Sequence, residues 1–197
     1  MKRLFPILLA FLLLLSFGCS KDDFVPVGYK MISPKSADYR MYVPEEWQTD
    51  ISTGITAAYV SDNDRASVSF TGYEVNDAII QVNVKTTGEA SSPAETNENG
   101  QPVITTAEQY WDYFEGEFCK TFEGMTYEVR GENCLVSNKE SKKYIYTATI
   151  TGAECKFMQT VTLYNGYVYV FTYSSPKDGF DTHYETVCDI LGYIELK

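Results

Sequence analysis

The pattern of apolar and polar positions divides the chain into an apolar leader, a series of strands and two amphipathic helices. Residues 4–17 are apolar apart from Pro6 and Ser16. This run of 14 residues is too short for a membrane-spanning helix, which needs about 20 apolar residues. Lys2 and Arg3 precede it, as in a secretory signal peptide. The leader therefore predicts export from the cytoplasm.

The end of the leader carries a candidate lipidation site. Ser16-Phe17-Gly18-Cys19 resembles the bacterial lipobox, in which a small residue precedes a cysteine that is lipidated and becomes the first mature residue. The lipobox pattern has leucine in place of Ser16 and usually a small residue in place of Phe17. The resemblance implies a lipoprotein signal peptide at 1–18. It also implies that residues 19–28 consist of a lipidated Cys19 and the tether that follows it. The lipid would hold the protein at the cell membrane, facing outside the cytoplasm. An ordinary secretory signal with an incidental cysteine is the alternative.

The first half of the remaining chain predicts strands and one long loop. Residues 55–61 and 66–73 flank the turn-rich sequence Asp62-Asn63-Asp64-Arg65, which favours a hairpin. Residues 79–85 are a further strand candidate. Residues 86–102 contain almost no apolar side chains and are predicted to form a mobile loop.

The second half predicts a strand-rich region in which the last strand is uncharged on both faces. Strands are expected at 127–130, 134–137, 143–151, 155–164 and 167–173. Asn165-Gly166 is a strong hairpin signal, because both turn residues must adopt positive φ. In strand 167–173 neither face carries a charge, so both faces need cover. We therefore expect helices on the two sides of an antiparallel sheet.

Two helices are predicted from apolar stripes with a period of 3.6 residues. The first begins at Thr105, which has capping-box spacing to Glu108. Its stripe is Ala107, Tyr110, Trp111, Phe114 and Phe118. The second begins between residues 176 and 181 and ends near Gly192. Its stripe is Phe180, Tyr184, Val187, Cys188 and Leu191. On this pattern Cys188 is a buried small hydrophobe, and His183 is a solvated residue opposite the stripe.

Three segments resemble the PsbP-like fold family, whose members include the extrinsic PsbP protein of plant photosystems, its bacterial relatives and the Mog and DcrB groups. The segments are YRMYVPEEW at 39–47, AAYVSDNDRASVSF at 57–70 and the final hairpin with its helix at 161–191. The resemblance covers about 29–197 and implies one α+β domain there, an α-β-α sandwich with a central antiparallel sheet and helices on both faces. It implies little about function, because one fold hosts many functions.

The net charge narrows the classes of binding partner. The chain carries 16 basic and 27 acidic side chains, and loss of the leader leaves 14 against 27, a net charge near −13. This balance argues against nucleic acid and against anionic lipid headgroups as partners.

The cysteines leave the disulfide content undecided. Cys119, Cys134, Cys155 and Cys188 could form no disulfide, one or two.

The sequence contains no constellation that predicts catalysis or a cofactor. His183 is the single histidine, which removes most histidine-based metal sites and His-dependent nucleophilic catalysis. Asp62 and Asp64 lack the ligand spacing of an EF-hand. Asp112 and Glu115 lie on the polar side of the first predicted helix, where charge is expected. We therefore expect no catalytic residue, no metal and no cofactor.

The 16 tyrosines are the unusual feature of the composition. Tyr144, Tyr146, Tyr167 and Tyr169 are candidate binding residues, because tyrosine offers rigid area with a polar tip. Packing within the core and the strands is the alternative.

The combined prediction is a non-catalytic, membrane-anchored lipoprotein that binds a protein or an envelope component. The alternatives are an exported carboxylate-type hydrolase of envelope or extracellular glycans, and a carrier of small molecules or metal ions. A cleft with two carboxylates would favour the hydrolase, and a closed aromatic pocket would favour the carrier. A filled core with only an exposed patch would favour the binding module.

Overall fold

A large antiparallel sheet between two helices dominates the structure. The structure is a computed structural model that describes residues 25–52, 55–75, 104–119 and 123–197. The predicted signal peptide, Cys19, the strand candidate at 79–85 and the loop at 86–102 lie outside these ranges. Within the described ranges, no helix is long and apolar enough to span a membrane.

The described elements follow one another from a short N-terminal strand to a short C-terminal strand. They are β1 (Tyr29–Met31), β2 (Tyr39–Arg40), β3 (Tyr42–Pro44), β4 (Gln48–Ser52), β5 (Ile55–Tyr59), β6 (Ser67–Glu74), α1 (Ala107–Phe118), β7 (Glu123–Val136), β8 (Lys139–Ile150), β9 (Ala153–Tyr164), β10 (Tyr167–Pro176), a 3₁₀ turn (Lys177–Gly179), α2 (Phe180–Gly192) and β11 (Glu195–Leu196). The main sheet has the order β4-β5-β6-β10-β9-β8-β7. All its neighbouring strands are antiparallel. Strands β1 and β3 pair with each other, as do β2 and β11.

Tight two-residue turns join β7, β8, β9 and β10 into a meander. Ser137-Asn138, Thr151-Gly152 and Asn165-Gly166 all have positive φ at both residues. Two consecutive positive φ angles match the right-handed twist of the flanking strands. The predicted turn at Asn165-Gly166 is confirmed, and so is the earlier hairpin, formed by β5 and β6.

Strand β7 corrects the prediction of two short strands at 127–130 and 134–137. It is one strand of 14 residues with three register shifts against β8. One shift falls between Arg130 and Glu132, where Gly131 has a φ of 73°. The prediction was wrong because an extra residue at a bulge breaks the alternation without ending the strand.

Both faces of the sheet are covered, as the uncharged last strand predicts. Along β10, Val168 and Val170 pack towards α1, whereas Phe171 and Tyr173 pack towards α2. We call these two clusters the α1-face core and the α2-face core. The α1-face core contains Tyr110, Trp111, Tyr144, Tyr146, Ala148, Phe157, Val161, Val168 and Val170, among others. The α2-face core contains Met158, Tyr169, Phe171, Tyr173, Phe180, Val187 and Ile190, among others. The α-β-α sandwich is therefore confirmed.

Trp111 is the central side chain of the α1-face core. Its ring is 1% exposed and stacks on Tyr144 with a centroid separation of 3.8 Å. Its indole N–H donates to the hydroxyl of Tyr127 at 2.8 Å. Deeper in the cluster, the hydroxyl of Tyr146 donates to the amide oxygen of Gln159 at 2.6 Å. These hydrogen bonds satisfy polar groups that would otherwise be costly to bury.

Helix α1 begins two residues later than predicted. It starts at Ala107, and its capping box joins Thr106 and Gln109. The Gln109 N–H donates to Thr106 Oγ1, and the Thr106 N–H donates to Gln109 Oε1, both at 3.2 Å. The predicted box of Thr105 and Glu108 was wrong because the Glu108 carboxylate instead pairs with Lys142 Nζ at 2.6 Å.

The buried stripe of α2 is rotated relative to the prediction. Phe180, Val187 and Ile190 are buried, whereas Cys188 is exposed. The prediction for Cys188 was wrong because the stripe omitted Ile190. Successive residues on a helix are about 100° apart around the axis. A stripe that includes Ile190 is therefore centred farther from Cys188 and nearer to His183.

The prediction that His183 is solvated was also wrong. Its side chain is 19% exposed, and its Nε2 lies 2.6 Å from Asp64 Oδ2 in the turn between β5 and β6. The ring of Trp47 meets it edge-on. The pKa of Asp64 is held below its usual value, mainly by the hydrogen bond with His183 and secondly by the bond from the Ala66 N–H. This contact, which joins α2 to a distant turn, depends on the tertiary fold and has no local signal in the sequence.

Replacing Trp111 by alanine is expected to destabilise the protein by about 3–5 kcal/mol, because it removes a buried ring and leaves a cavity. The free energy of unfolding from urea denaturation measures the effect. Val27→Ala is the control, because Val27 is 100% exposed and its truncation should be neutral. A neutral Trp111→Ala variant would contradict the described core.

Gly72 is expected to tolerate no side chain, for a steric reason. A Cβ at Gly72 would lie 2.8 Å from Cε1 of Tyr169, its partner on β10. The Tyr169 ring cannot yield easily, because it stacks on Phe70 and its hydroxyl donates to Asp38. Gly72→Ala should therefore lower the melting temperature, with a cost of about 1–3 kcal/mol.

Gly192→Ala is the matched control for this prediction. Gly192 ends α2, and a Cβ there meets nothing within 4 Å. Because alanine favours a helix over glycine by up to about 1 kcal/mol, the control should be neutral or stabilising. Equal melting temperatures for the two variants would refute the steric explanation.

Candidate functional site

An open groove of about 600 Å³ lies where the first turn of α1 approaches the edge of the sheet. Residues 105–108 form one wall, and residues 133–135 at the end of β7 form another. Residues 140–142 of β8 and Leu163 of β9 complete the lining. The groove is therefore built from four elements that follow one another in the chain.

The groove combines an apolar side chain with a bridged pair of charges. Leu135 is 64% exposed. The salt bridge between Glu108 and Lys142 joins α1 to β8 at 2.6 Å. Its side chains are 58% and 24% exposed, so it contributes little to stability. It does hold the first turn of α1 beside the sheet.

The thiol of Cys134 also lines the groove. Burial raises its pKa, and the charge of Lys143 opposes that shift only partly. Because the thiolate is the nucleophilic form, this environment does not activate the sulfur. Cys134 is a free thiol, and so are Cys119, Cys155 and Cys188.

The four candidate tyrosines do not line this groove. Tyr144 and Tyr146 are buried in the α1-face core, and Tyr169 is buried in the α2-face core. Tyr167 is partly buried against the α2-face core. The structure shows packing contacts for all four side chains, and their role in binding stays a prediction.

Two acidic residues on α1, Asp112 and Glu115, lie against β7. Arg130 Nη2 is 2.9 Å from Asp112 Oδ1 and 2.7 Å from Glu115 Oε2. The Arg130 guanidinium also lies 5.5 Å from the ring centroid of Tyr127. The described residues contain no group of three or more His, Cys, Asp or Glu side chains arranged to hold a metal ion.

Sequence reasoning did not find the groove. Leu135 is a single apolar residue in a strand, which is an ordinary pattern. The capping residues of α1 predict a helix start but not what lies beside it. The groove exists because the sheet brings the end of β7 to the start of α1, and no local pattern encodes that proximity.

Comparisons with known proteins connect the architecture to solved structures. No protein-family model matches the sequence, and no curated protein matches it. The solution structure of cyanobacterial PsbP (CyanoP) from Synechocystis sp. PCC 6803 is similar, with a TM-score of 0.55 and 12% identity over 86% of this chain and 93% of that one. The Ran-binding protein Mog1p of Saccharomyces cerevisiae is also similar, with a TM-score of 0.51 and 6% identity over 85% of this chain and 95% of that one.

These likenesses agree with the order of elements and with the two covered faces of the sheet. Both solved structures match most of their own length to this chain, so the similarity concerns the whole domain and not one motif. The identities are low, and what the chains share is the fold. The chain therefore has the fold of the PsbP-like family.

Proposed function

We propose that this chain is a lipid-anchored extracytoplasmic module that binds a protein partner through the groove and catalyses no reaction. The observation that supports it is the contrast between a filled interior and an open groove. On both sides of the sheet the large side chains are buried, whereas Leu135 at the groove is 64% exposed. An anchored domain with this arrangement has a surface for docking.

The filled interior disfavours the carrier alternative. Tyr146 is fully buried beneath α1, and Met158 and Phe171 are fully buried beneath α2. A carrier needs a concave, largely apolar pocket that encloses its ligand. In the described part of the chain, the space between each helix and the sheet is occupied by side chains instead.

The groove carboxylates do not favour the hydrolase alternative. Glu108 and Glu140 both line the groove. Glycoside hydrolysis requires one protonated and one ionised carboxyl group on opposite sides of the bond that breaks. The Glu108 carboxylate is bonded to Lys142 at 2.6 Å, so it already has a partner within the groove.

The form of the groove suits an extended or looped protein segment. One wall is the end of β7, the outermost strand on its side of the main sheet. An outermost strand offers backbone donors and acceptors to an added segment, and an exposed leucine offers an apolar anchor. Mog1p, which shares the fold, is a Ran-binding protein, so protein binding is compatible with this architecture.

The anchor is tested by replacing Cys19 with alanine in the native host. We expect the variant to lose incorporation of labelled palmitate and to move from the membrane fraction to the soluble fraction, because two or more acyl chains are needed for stable anchoring. Cys188→Ala is the control, since Cys188 is an exposed thiol outside the lipobox and should leave labelling unchanged. Membrane retention of Cys19→Ala would rule out the lipid anchor.

The groove is tested by Leu135→Glu, with Ile55→Glu as the matched control. Both positions are exposed strand residues, at 64% and 41%, but only Leu135 lines the groove. We expect proteins crosslinked to the wild type in its native membrane to be lost with Leu135→Glu and retained with Ile55→Glu. Circular dichroism confirms that both variants fold. Equal recovery by the two variants would contradict docking at the groove.

A further inference from the structure

A thiol and a thioether meet at the end of α1 that is remote from the groove. Cys119 Sγ lies 3.5 Å from Met125 Sδ. Cys119 follows the last helical residue, and its N–H donates to the carbonyl oxygen of Glu115. A 12-residue helix is about 18 Å long, so this sulfur pair and the groove lie at opposite ends of α1.

We infer that Cys119 and Met125 together bind a soft monovalent metal ion of the Cu(I) class. Thiolate and thioether ligands select Cu(I), whereas oxygen ligands suit magnesium and calcium. Zn²⁺ in structural sites takes four ligands, which two sulfurs do not supply. The site goes beyond the proposed docking function and does not depend on it.

The positions of the two sulfurs suit joint ligation. If each metal–sulfur bond is about 2.3 Å long, two sulfurs that bind one ion lie at most about 4.6 Å apart. The distance of 3.5 Å between Cys119 Sγ and Met125 Sδ therefore needs at most a small increase. Cys119 is exposed, so an ion can reach it from solvent and its side chain can change rotamer. Met125 packs against the α1-face core, which fixes the thioether beside the thiol.

Binding is a proton-for-metal exchange at Cys119. The S–H bond breaks and its proton passes to solvent, while a sulfur–metal bond forms to the thiolate. Met125 donates a lone pair and gains or loses no proton. The thiolate and the monovalent ion together are neutral, and no oxidant or reductant is consumed when the ion arrives as Cu(I).

The local field also favours a cation. The C-terminal end of a helix carries partial negative charge, and the last turn of α1 contains no basic residue. Lys120, the next residue in the sequence, lies outside the described residues. This partial negative charge at the end of the helix attracts a metal cation.

The test measures Cu(I) affinity of the full-length protein in detergent, without oxygen, by competition with bicinchoninate. The variants are Cys119→Ser and Met125→Leu, with Cys188→Ser as the control. Loss of a residue that only orients a metal ligand costs about 10–100-fold in metal affinity, so loss of either ligand itself should weaken binding by about tenfold or more. Cys188→Ser should bind as the wild type does, because Cys188 is an exposed thiol on a different helix.

Two results would overturn the site. If Met125→Leu binds Cu(I) as tightly as the wild type, the thioether is not a ligand. If Cys188→Ser loses as much affinity as Cys119→Ser, binding is a general property of exposed thiols.

A second measurement uses unsubstituted protein with ¹³C-labelled methionine methyl groups and Ag(I) as the added ion. The methyl resonance of Met125 should shift on titration, whereas that of Met31 on β1 should stay in place. An unchanged Met125 resonance would also refute the proposal, whatever the variants do.

Discussion

The structure depends on one constraint, which is that its central strands are apolar on both faces. In β10, Val168 and Val170 point to one side, and Phe171 and Tyr173 point to the other. A sheet of this kind cannot leave either face in water, because each exposed face would lose the free energy of burying large apolar side chains. Two helices are therefore required, and their positions determine where the domain has free surface.

This constraint is visible in the sequence, and it is why the architecture could be predicted. The alternation in 167–173 and the Asn165-Gly166 turn specify a hairpin through local chemistry alone. The aromatic stripe of α1 around Trp111 specifies a helix with one buried side. The register of β7 could not be predicted in the same way. Its bulge at Gly131 changes which residues share a face, and the register shift belongs to the pairing with β8 and has no local signal.

Features that arise from contacts between distant segments were not predictable. His183 was expected in solvent, yet a turn about 120 residues earlier covers it through Asp64. Strand β4, which is polar in sequence, forms only because it pairs with β5. The groove was not predictable for a different reason: its walls come from the consecutive elements α1, β7, β8 and β9, and the packing of α1 on the sheet that forms it has no local signal. The high number of tyrosines is evident from the composition, but the sequence does not show that Tyr144 and Tyr146 lie beneath a helix.

Helix α1 is anchored to the sheet along its length and borders solvent at both ends. The helix is fixed at its middle by Trp111, which stacks on Tyr144 and bonds to Tyr127. Arg130 adds a second attachment through Asp112 and Glu115. The ends of the helix also contact the core, through Ala107 in the first turn and Phe118 in the last turn. The first turn can border an open groove, and the last turn can present a sulfur to solvent. Next to each of these packed side chains an exposed one remains, Glu108 in the first turn and Cys119 after the last. Helix α1 is therefore fixed to the sheet along its length and still borders solvent at both ends.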